Sequence, residues 1–276
     1  MKKTRVAIMY DFDKTLSTTD MQNYTFIPNL GMTPDEFWNK TTEFSLKTGC
    51  ERILSYMYVM IDEAKKKGIK MSKEYLRECG KHIKFYPGVV DWFDRINAYG
   101  ETKGVIVEHY LVSSGTKEIV EGCDIVKHFK QVWGCEYHFE NDVPVWPKLA
   151  INYTQKTQFF FRIAKGAFDL TDDAAVNEKT ASLKRRIPYQ NIIYMGDGMT
   201  DIPCMTLVKK NNGKSIAIYQ RGQKDKVKRI YQENRCDFIA YADYNENKSI
   251  DKFIKMIIDR AALQRDMDNE SARTSA

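Results

Sequence analysis

The chain of 276 residues has little of what would anchor a structural metal, a disulfide framework or a membrane span. Only four histidines occur, His82, His109, His128 and His138, and none falls in an HExxH or comparable ligand spacing. The six cysteines, at 50, 79, 123, 135, 204 and 236, form no CxxC and no pairing pattern. That argues against zinc-ribbon and dithiol-redox chemistry, and it predicts reduced thiols and structural histidines. Long apolar runs are missing too. The first, Val6 to Tyr10, stops at Asp11 and is too short for a bilayer span or the core of a secretory signal. A soluble, cytoplasmic protein with no membrane partner is expected. Excess charge of one sign is equally scarce: 43 Lys and Arg against 37 Asp and Glu leave +6. Such a mild, scattered surplus suits a small anionic substrate and does not argue for nucleic acid. The clusters Lys65-Lys66-Lys67, Lys209-Lys210 and Lys224 to Arg229 read as solvated faces.

What is present is enough chain for one α/β core with a smaller insert. Val6 to Tyr10 reads as a short buried strand, because it is continuously apolar and ends abruptly in polar residues. Helical signals follow. Thr33-Pro34-Asp35-Glu36 is a capping box with proline at the first helical position, opening a helix to about Thr48. Glu51 to Lys67 puts Ile53, Leu54, Met57, Tyr58, Ile61 and Ala64 on one face and ends at Gly68. Ser72 caps a third helix to about Ile83.

After Tyr86-Pro87-Gly88 the pattern changes to alternating helices and strands. Helix 89–99 is followed by a strand from near Val105 to Val112, a hairpin over 131–147 turning at Glu140-Asn141-Asp142, and a helix from near Gln155. A polar surface excursion covers Thr171 to Arg186. Strands at 192–195, 215–219 and 238–240 precede a closing helix whose stripe is Ile250, Phe253, Ile254, Ile257, Ile258 and Ala261. Strands alternating with helices predict a doubly wound, mainly parallel sheet with its ligands at the carboxyl ends of the strands.

Three polar clusters stand directly after predicted strands: Asp11-Phe12-Asp13-Lys14-Thr15, Ser113-Ser114-Gly115, and Gly196-Asp197-Gly198-Met199-Thr200-Asp201. Carboxylates crowded at a strand mouth are costly unless a cation joins them. Four such acids at one sheet edge make an oxygen-rich site suited to a hard cation such as magnesium.

These clusters resemble the motifs of the haloacid dehalogenase-like superfamily, in the phosphatase branch that includes phosphoserine phosphatase. Asp11, Asp13 and Thr15 match its Asp-x-Asp-x-Thr, Ser113 its strand-ending Ser or Thr, and Asp197 and Asp201 its Gly-Asp-Gly-x-x-Asp. Its single lysine near a helix start is matched by Lys156, with Lys165 as the alternative. Thr200 departs from the Asn often found there. The resemblance implies a Rossmann-like core of residues 1–16 and 87–265, a helical cap over 17–86, and leaves 266–276 as a disordered polar tail. It also implies an Mg2+-dependent phosphatase acting on a small phosphorylated metabolite.

On that resemblance Asp11 is the covalent nucleophile and Asp13 the general acid and base. Asp11, the Asp13 carbonyl and Asp197 hold the metal. Ser113 and Lys156 hold the phosphoryl oxygens, with Ser114 competing for the serine role, while Asp201 and Thr15 act from behind these groups. Asp20 stands where phosphoserine phosphatases carry a Glu that meets the substrate's amino group, although a helix cap explains a lone Asp as well. A phosphotransferase or phosphomutase using the same nucleophile, and a catalytically idle binding protein, remain the alternatives.

Overall fold

The computed structural model of the protein describes residues 3–181 and 185–274. Its strands are β1 (Thr4–Tyr10), β2 (Val105–Thr116), β3 (Phe129–Glu140), β4 (Val143–Leu149), β5 (Ile192–Gly196), β6 (Lys214–Tyr219) and β7 (Phe238–Tyr241). They form one sheet in the order β4-β3-β2-β1-β5-β6-β7. Every pairing is parallel except that of β4 with β3, the expected hairpin. β1 is central, and its last five residues are buried, which is why Val6 to Tyr10 carries no polar side chain but the Tyr10 hydroxyl. The chain leaves β1 toward β2 on one side and reaches β5 on the other. That switch point is where an open α/β sheet leaves a crevice for a ligand. Prolines 144 and 147 lie in the edge strand β4, where a missing N–H breaks no ladder within a sheet.

The helices are α1 (Phe26–Asn29), α2 (Pro34–Thr48), α3 (Arg52–Lys66), α4 (Lys73–Gly80), α5 (Val89–Thr102), α6 (Lys117–Val120), α7 (Thr157–Lys165), α8 (Asp173–Asn177), α9 (Ile202–Lys210), α10 (Lys224–Gln232) and α11 (Ser249–Thr274). Helices α1 to α4 form an insert between β1 and α5. The chain enters and leaves this insert side by side: Ser17 bridges Phe85, Thr18 N–H donates to Lys84 O at 3.0 Å and Tyr86 N–H to Leu16 O at 3.0 Å. The Thr33–Glu36 capping box forms in both directions, and the Glu51 and Ser72 side chains cap α3 and α4.

Three expectations shift. Helix α3 buries Tyr56, Met57, Val59, Met60, Glu63 and Ala64, and it leaves Leu54 and Tyr58 36% and 50% exposed. The helix is apolar on more than one side, and contacts to the core select the face. Tyr56 OH donates to Ser114 O at 2.7 Å, and Tyr137 OH donates to Met57 O at 3.0 Å. Strand β2 continues past Val112 to Thr116, with an irregularity against β3 that takes up Ser113 to Gly115. The segment after 265, expected to be disordered, continues α11 to Thr274, because adding turns to a helix already anchored by Ile250, Ile254 and Ile258 needs no new nucleus. Part of the polar excursion, residues 182–184, lies outside the described residues, as do 275–276; its α8 is on the surface. Among the described residues no helix is long and apolar enough to cross a membrane.

A buried polar chain holds the end of β1 in place. Trp92 Nε1–H donates to Tyr10 OH at 2.8 Å, Tyr10 OH meets His109 Nδ1 at 2.9 Å, and His109 Nε2 meets Asn97 Oδ1 at 3.1 Å. Burial pulls the His109 pKa down to about 3. A neutral ring carrying its proton on Nε2 satisfies all three contacts, so this histidine is structural.

A second buried group gives a stability prediction. Glu118, on α6, is 1% exposed; its Oε1 accepts from Tyr137 N–H at 3.1 Å, and its Oε2 has no hydrogen-bond partner among the described residues. Burial raises its pKa from 4.5 to about 7. The folded state therefore binds the proton more tightly than the unfolded chain, and stability falls as pH rises from about 4.5 through 7. Glu118→Gln keeps the acceptor for Tyr137. It should add up to about 3 kcal/mol at pH 8 and almost nothing near pH 4.5, as urea unfolding at the two pH values would measure.

Candidate active site

Asp11 is the first residue beyond β1, and its amide donates to Met195 O on β5 at 2.8 Å. The chain then coils at once, with the amides of Thr15, Leu16 and Ser17 all pointing at Phe12 O at 2.9–3.2 Å. This coil puts Asp13 and Lys14 into the same cavity as Asp11. Asp13 Oδ1 accepts from Met21 N–H at 2.8 Å. Gly115 lies so close that a Cβ there would stand 2.1 Å from Met21 Cε and 3.0 Å from Asp13 Oδ2. A larger residue there would have to displace the Met21 side chain and crowd the acid.

The strongest contact in the site joins distant parts of the chain. Lys156, just before α7, is 1% exposed and donates to Asp11 Oδ1 at 2.7 Å and to Asp201 Oδ1 at 2.9 Å. Lys165 donates instead to Val176 O and Glu178 O, away from the acids. Asp201 is completely buried, and both of its oxygens are occupied. Oδ1 also accepts from Tyr194 OH at 2.6 Å, and Oδ2 accepts from the amides of Asp197 and Gly198 at 3.0 and 3.1 Å. A Cβ on Gly196 would lie 2.4 Å from Asp201 Cγ, so the loop after β5 wraps this carboxylate only with glycine at that position. Asp197 reaches Lys226 of α10 at 3.2 Å.

Electrostatics are set by too many acids in too little water. Burial raises the Asp11 pKa to about 7; Lys156 opposes the shift, and Asp201 and Asp197 add to it. Burial, then Asp20 and Asp11, raises Asp13 well above the usual carboxylate range. Burial and Asp201 raise Asp197. Burial pulls down the pKa of the Lys156 ammonium, but Asp11 and Asp201 more than offset it, and this lysine stays charged.

The donor set fits a hard cation. Asp11, Asp197 and Asp201 each offer an oxygen, all within 4.8 Å of one another. With Asp201 already saturated by hydrogen bonds, Asp11 Oδ2 and the Asp197 carboxylate are the oxygens left for a cation. A purely oxygen set of this kind suits magnesium better than a soft metal.

The cavity has a volume of about 450 Å³, and Asp11, Asp13, Asp20, Lys156, Asp197 and Ser114 are among its lining residues. Ser113 sits behind it, 1% exposed, with its Oγ accepting from Gly115 N–H at 2.9 Å. Thr15 is buried, and its Oγ1 has no hydrogen-bond partner among the described residues. Asp20 reaches the cavity as the partner of Lys14, at 2.9 and 2.7 Å, not as a free carboxylate. Sequence reasoning passed over Lys14, Ile53, Tyr153, Met199 and Lys226, which also line it. Lys14 and Met199 stand in plain view inside the first and third clusters. Ile53, Tyr153 and Lys226 come from separate elements, and no local pattern sets them apart.

Residues 8–206 match the sequence profile of haloacid dehalogenase-like hydrolases. An uncharacterized protein of Borreliella burgdorferi is 25% identical over 277 residues, covering 90% of this chain and 95% of its own length. Among solved structures, a phospho-aspartyl intermediate analogue of phosphoserine phosphatase superposes with a TM-score of 0.56 at 15% identity, over 92% of this chain and 99% of that one. An HAD family hydrolase of Salmonella enterica serovar Typhi gives a TM-score of 0.50 at 18% identity over 77% of this chain, which spans 62% of that protein. At these identities the two structures are likenesses of fold.

Proposed function

The chain belongs to the haloacid dehalogenase-like hydrolase family, and from that premise we propose that it is a magnesium-dependent phosphatase of small phosphate monoesters. One observation carries the reading: a buried lysine, Lys156, bridges Asp11 and Asp201 at the carboxyl edge of the sheet, beside Asp13 and Asp197. A buried ammonium answered by two carboxylates is a positioned charge, not a surface pair, and it faces the cavity where a phosphoryl group would sit.

The chemistry follows from the duties open to each residue. A phosphate monoester dianion repels nucleophiles, and its uncatalysed hydrolysis is among the slowest reactions enzymes address. The Asp11 carboxylate would attack phosphorus and form an aspartyl phosphate, so that one hard displacement becomes two. Asp13, kept protonated by burial and its acidic neighbours, would give its proton to the leaving oxygen. It would then take one from the water that cleaves the anhydride. Lys156 and the Ser113-Ser114 segment of β2 would hold the phosphoryl oxygens, where charge spreads in the transition state. Asp201 would keep Lys156 charged and aimed. Magnesium held by Asp11, the Asp13 carbonyl and Asp197 would neutralise charge on the phosphoryl group and on the crowded acids.

Hydrolysis of p-nitrophenyl phosphate should disappear when metal is chelated, return with magnesium, and return only weakly with calcium, whose larger and looser coordination misplaces the nucleophile. Full activity in the presence of chelator would sink the metal assignment.

A further inference from the structure

We infer that Lys14 sets the leaving-group specificity of this site. By neutralising Asp20 it admits phosphate esters whose leaving group is uncharged and turns away those that carry an ammonium near the ester. The inference rests on the phosphatase reading above and names the substrate class for it.

A free carboxylate in the place of Asp20, on the cavity wall, would attract an amine-bearing ester. Both of its oxygens instead accept hydrogen bonds from the Lys14 ammonium, at 2.9 and 2.7 Å. The pair is sheltered, with side chains 35% and 26% exposed, and both residues line the cavity. Lys14 holds this post at a conformational cost, because its φ of 58° is left-handed, where a lysine is strained and a glycine is not. Strain of this kind at a cavity mouth points to a function for the side chain.

The other lining acids have partners of their own. Asp11 is paired with Lys156 at 2.7 Å, Asp197 with Lys226 at 3.2 Å, and Asp13 accepts from Met21 N–H at 2.8 Å. The wall also carries Ile53, Tyr153 and Met199, the last two 52% and 61% exposed. Beside Asp20 an incoming ammonium would meet the like charge of Lys14 and a carboxylate already paired, whereas an uncharged leaving group meets apolar surface. Discrimination here comes from a repulsive element as much as from an attractive one.

Two esters of nearly equal size test this: 2-aminoethyl phosphate and 2-hydroxyethyl phosphate, each measured for kcat/KM and for calorimetric affinity in the presence of magnesium. The wild-type protein should favour the hydroxyl ester by about tenfold or more in both quantities, since like charges at close range discriminate strongly. Lys14→Gly fits the left-handed backbone and leaves Asp20 unpaired. It should move the ratio toward the amine by about tenfold or more, and adding Asp20→Asn should cancel that shift. Lys14→Asn, which also tolerates the left-handed region, provides a second variant. A wild-type preference for the amine, or a ratio unmoved in both Lys14 variants, would overturn the inference. Absence of any metal-dependent hydrolysis of p-nitrophenyl phosphate would fault the phosphatase reading instead, and the affinity ratio would still decide the role of Lys14.

Discussion

Asp11→Asn should lower kcat by roughly 10⁴–10⁶-fold, the scale on which loss of a covalent nucleophile is felt. An amide is a far poorer nucleophile and a weaker ligand for a hard cation. The loss should be catalytic and not a failure to fold. Burial and the neighbouring acids work against the Asp11 charge, and Lys156 keeps Asp201 as a partner when that charge is removed. The thermal midpoint of the metal-free variant should therefore match or exceed that of the wild type. A chemical trap identifies the residue directly. Rapid quenching during turnover, followed by borohydride reduction, should convert residue 11 and no other acid to homoserine, as peptide mass spectrometry would read. Reduction at a different carboxylate would reassign the nucleophile.

Asp13→Asn should cost about 10²–10⁴-fold, the usual worth of a positioned general acid and base, and the loss should depend on the leaving group. The asparagine Oδ1 can still accept from Met21 N–H, and the backbone carbonyl is unchanged, so the geometry around the substitution survives. Only the proton donor is removed. A phenoxide leaves with little help from a proton, whereas an alkoxide needs one. Turnover of aryl phosphates should therefore fall less than that of alkyl phosphates, as a comparison of p-nitrophenyl and 2-hydroxyethyl esters would show. Equal losses on both esters would mean that Asp13 does not protonate the leaving oxygen.

Much of the architecture is legible in local patterns. The run Val6 to Tyr10 ending on Asp11, the Thr33–Glu36 capping box and the hairpin turn at residues 140–142 each encode a structure within a few residues of themselves. Signals of that range survive translation into the fold because capping, turn geometry and apolar periodicity act over one or two turns of chain. Helix α3 is the counterexample. Its sequence offers more than one apolar face, and which one is buried depends on Ser114 and Tyr137, more than fifty residues away.

The candidate site divides along the same line. The sequence by itself determined the alternation that makes a parallel sheet, and it set the three polar clusters at strand ends, because burial in a central strand forbids charge until the strand stops. Between Lys156 and Lys165 it favours the first and leaves the second as the alternative. The two lysines stand nine positions apart, and only the packing of α7 against the sheet carries one to Asp11 and Asp201 and the other to the carbonyls of residues 176 and 178. Tertiary structure alone also paired Asp20 with Lys14 and brought Lys226 to Asp197. Ion pairs are decided by distances of a few ångströms between side chains whose separation along the chain carries no energy, so their partners are known only once the chain has folded.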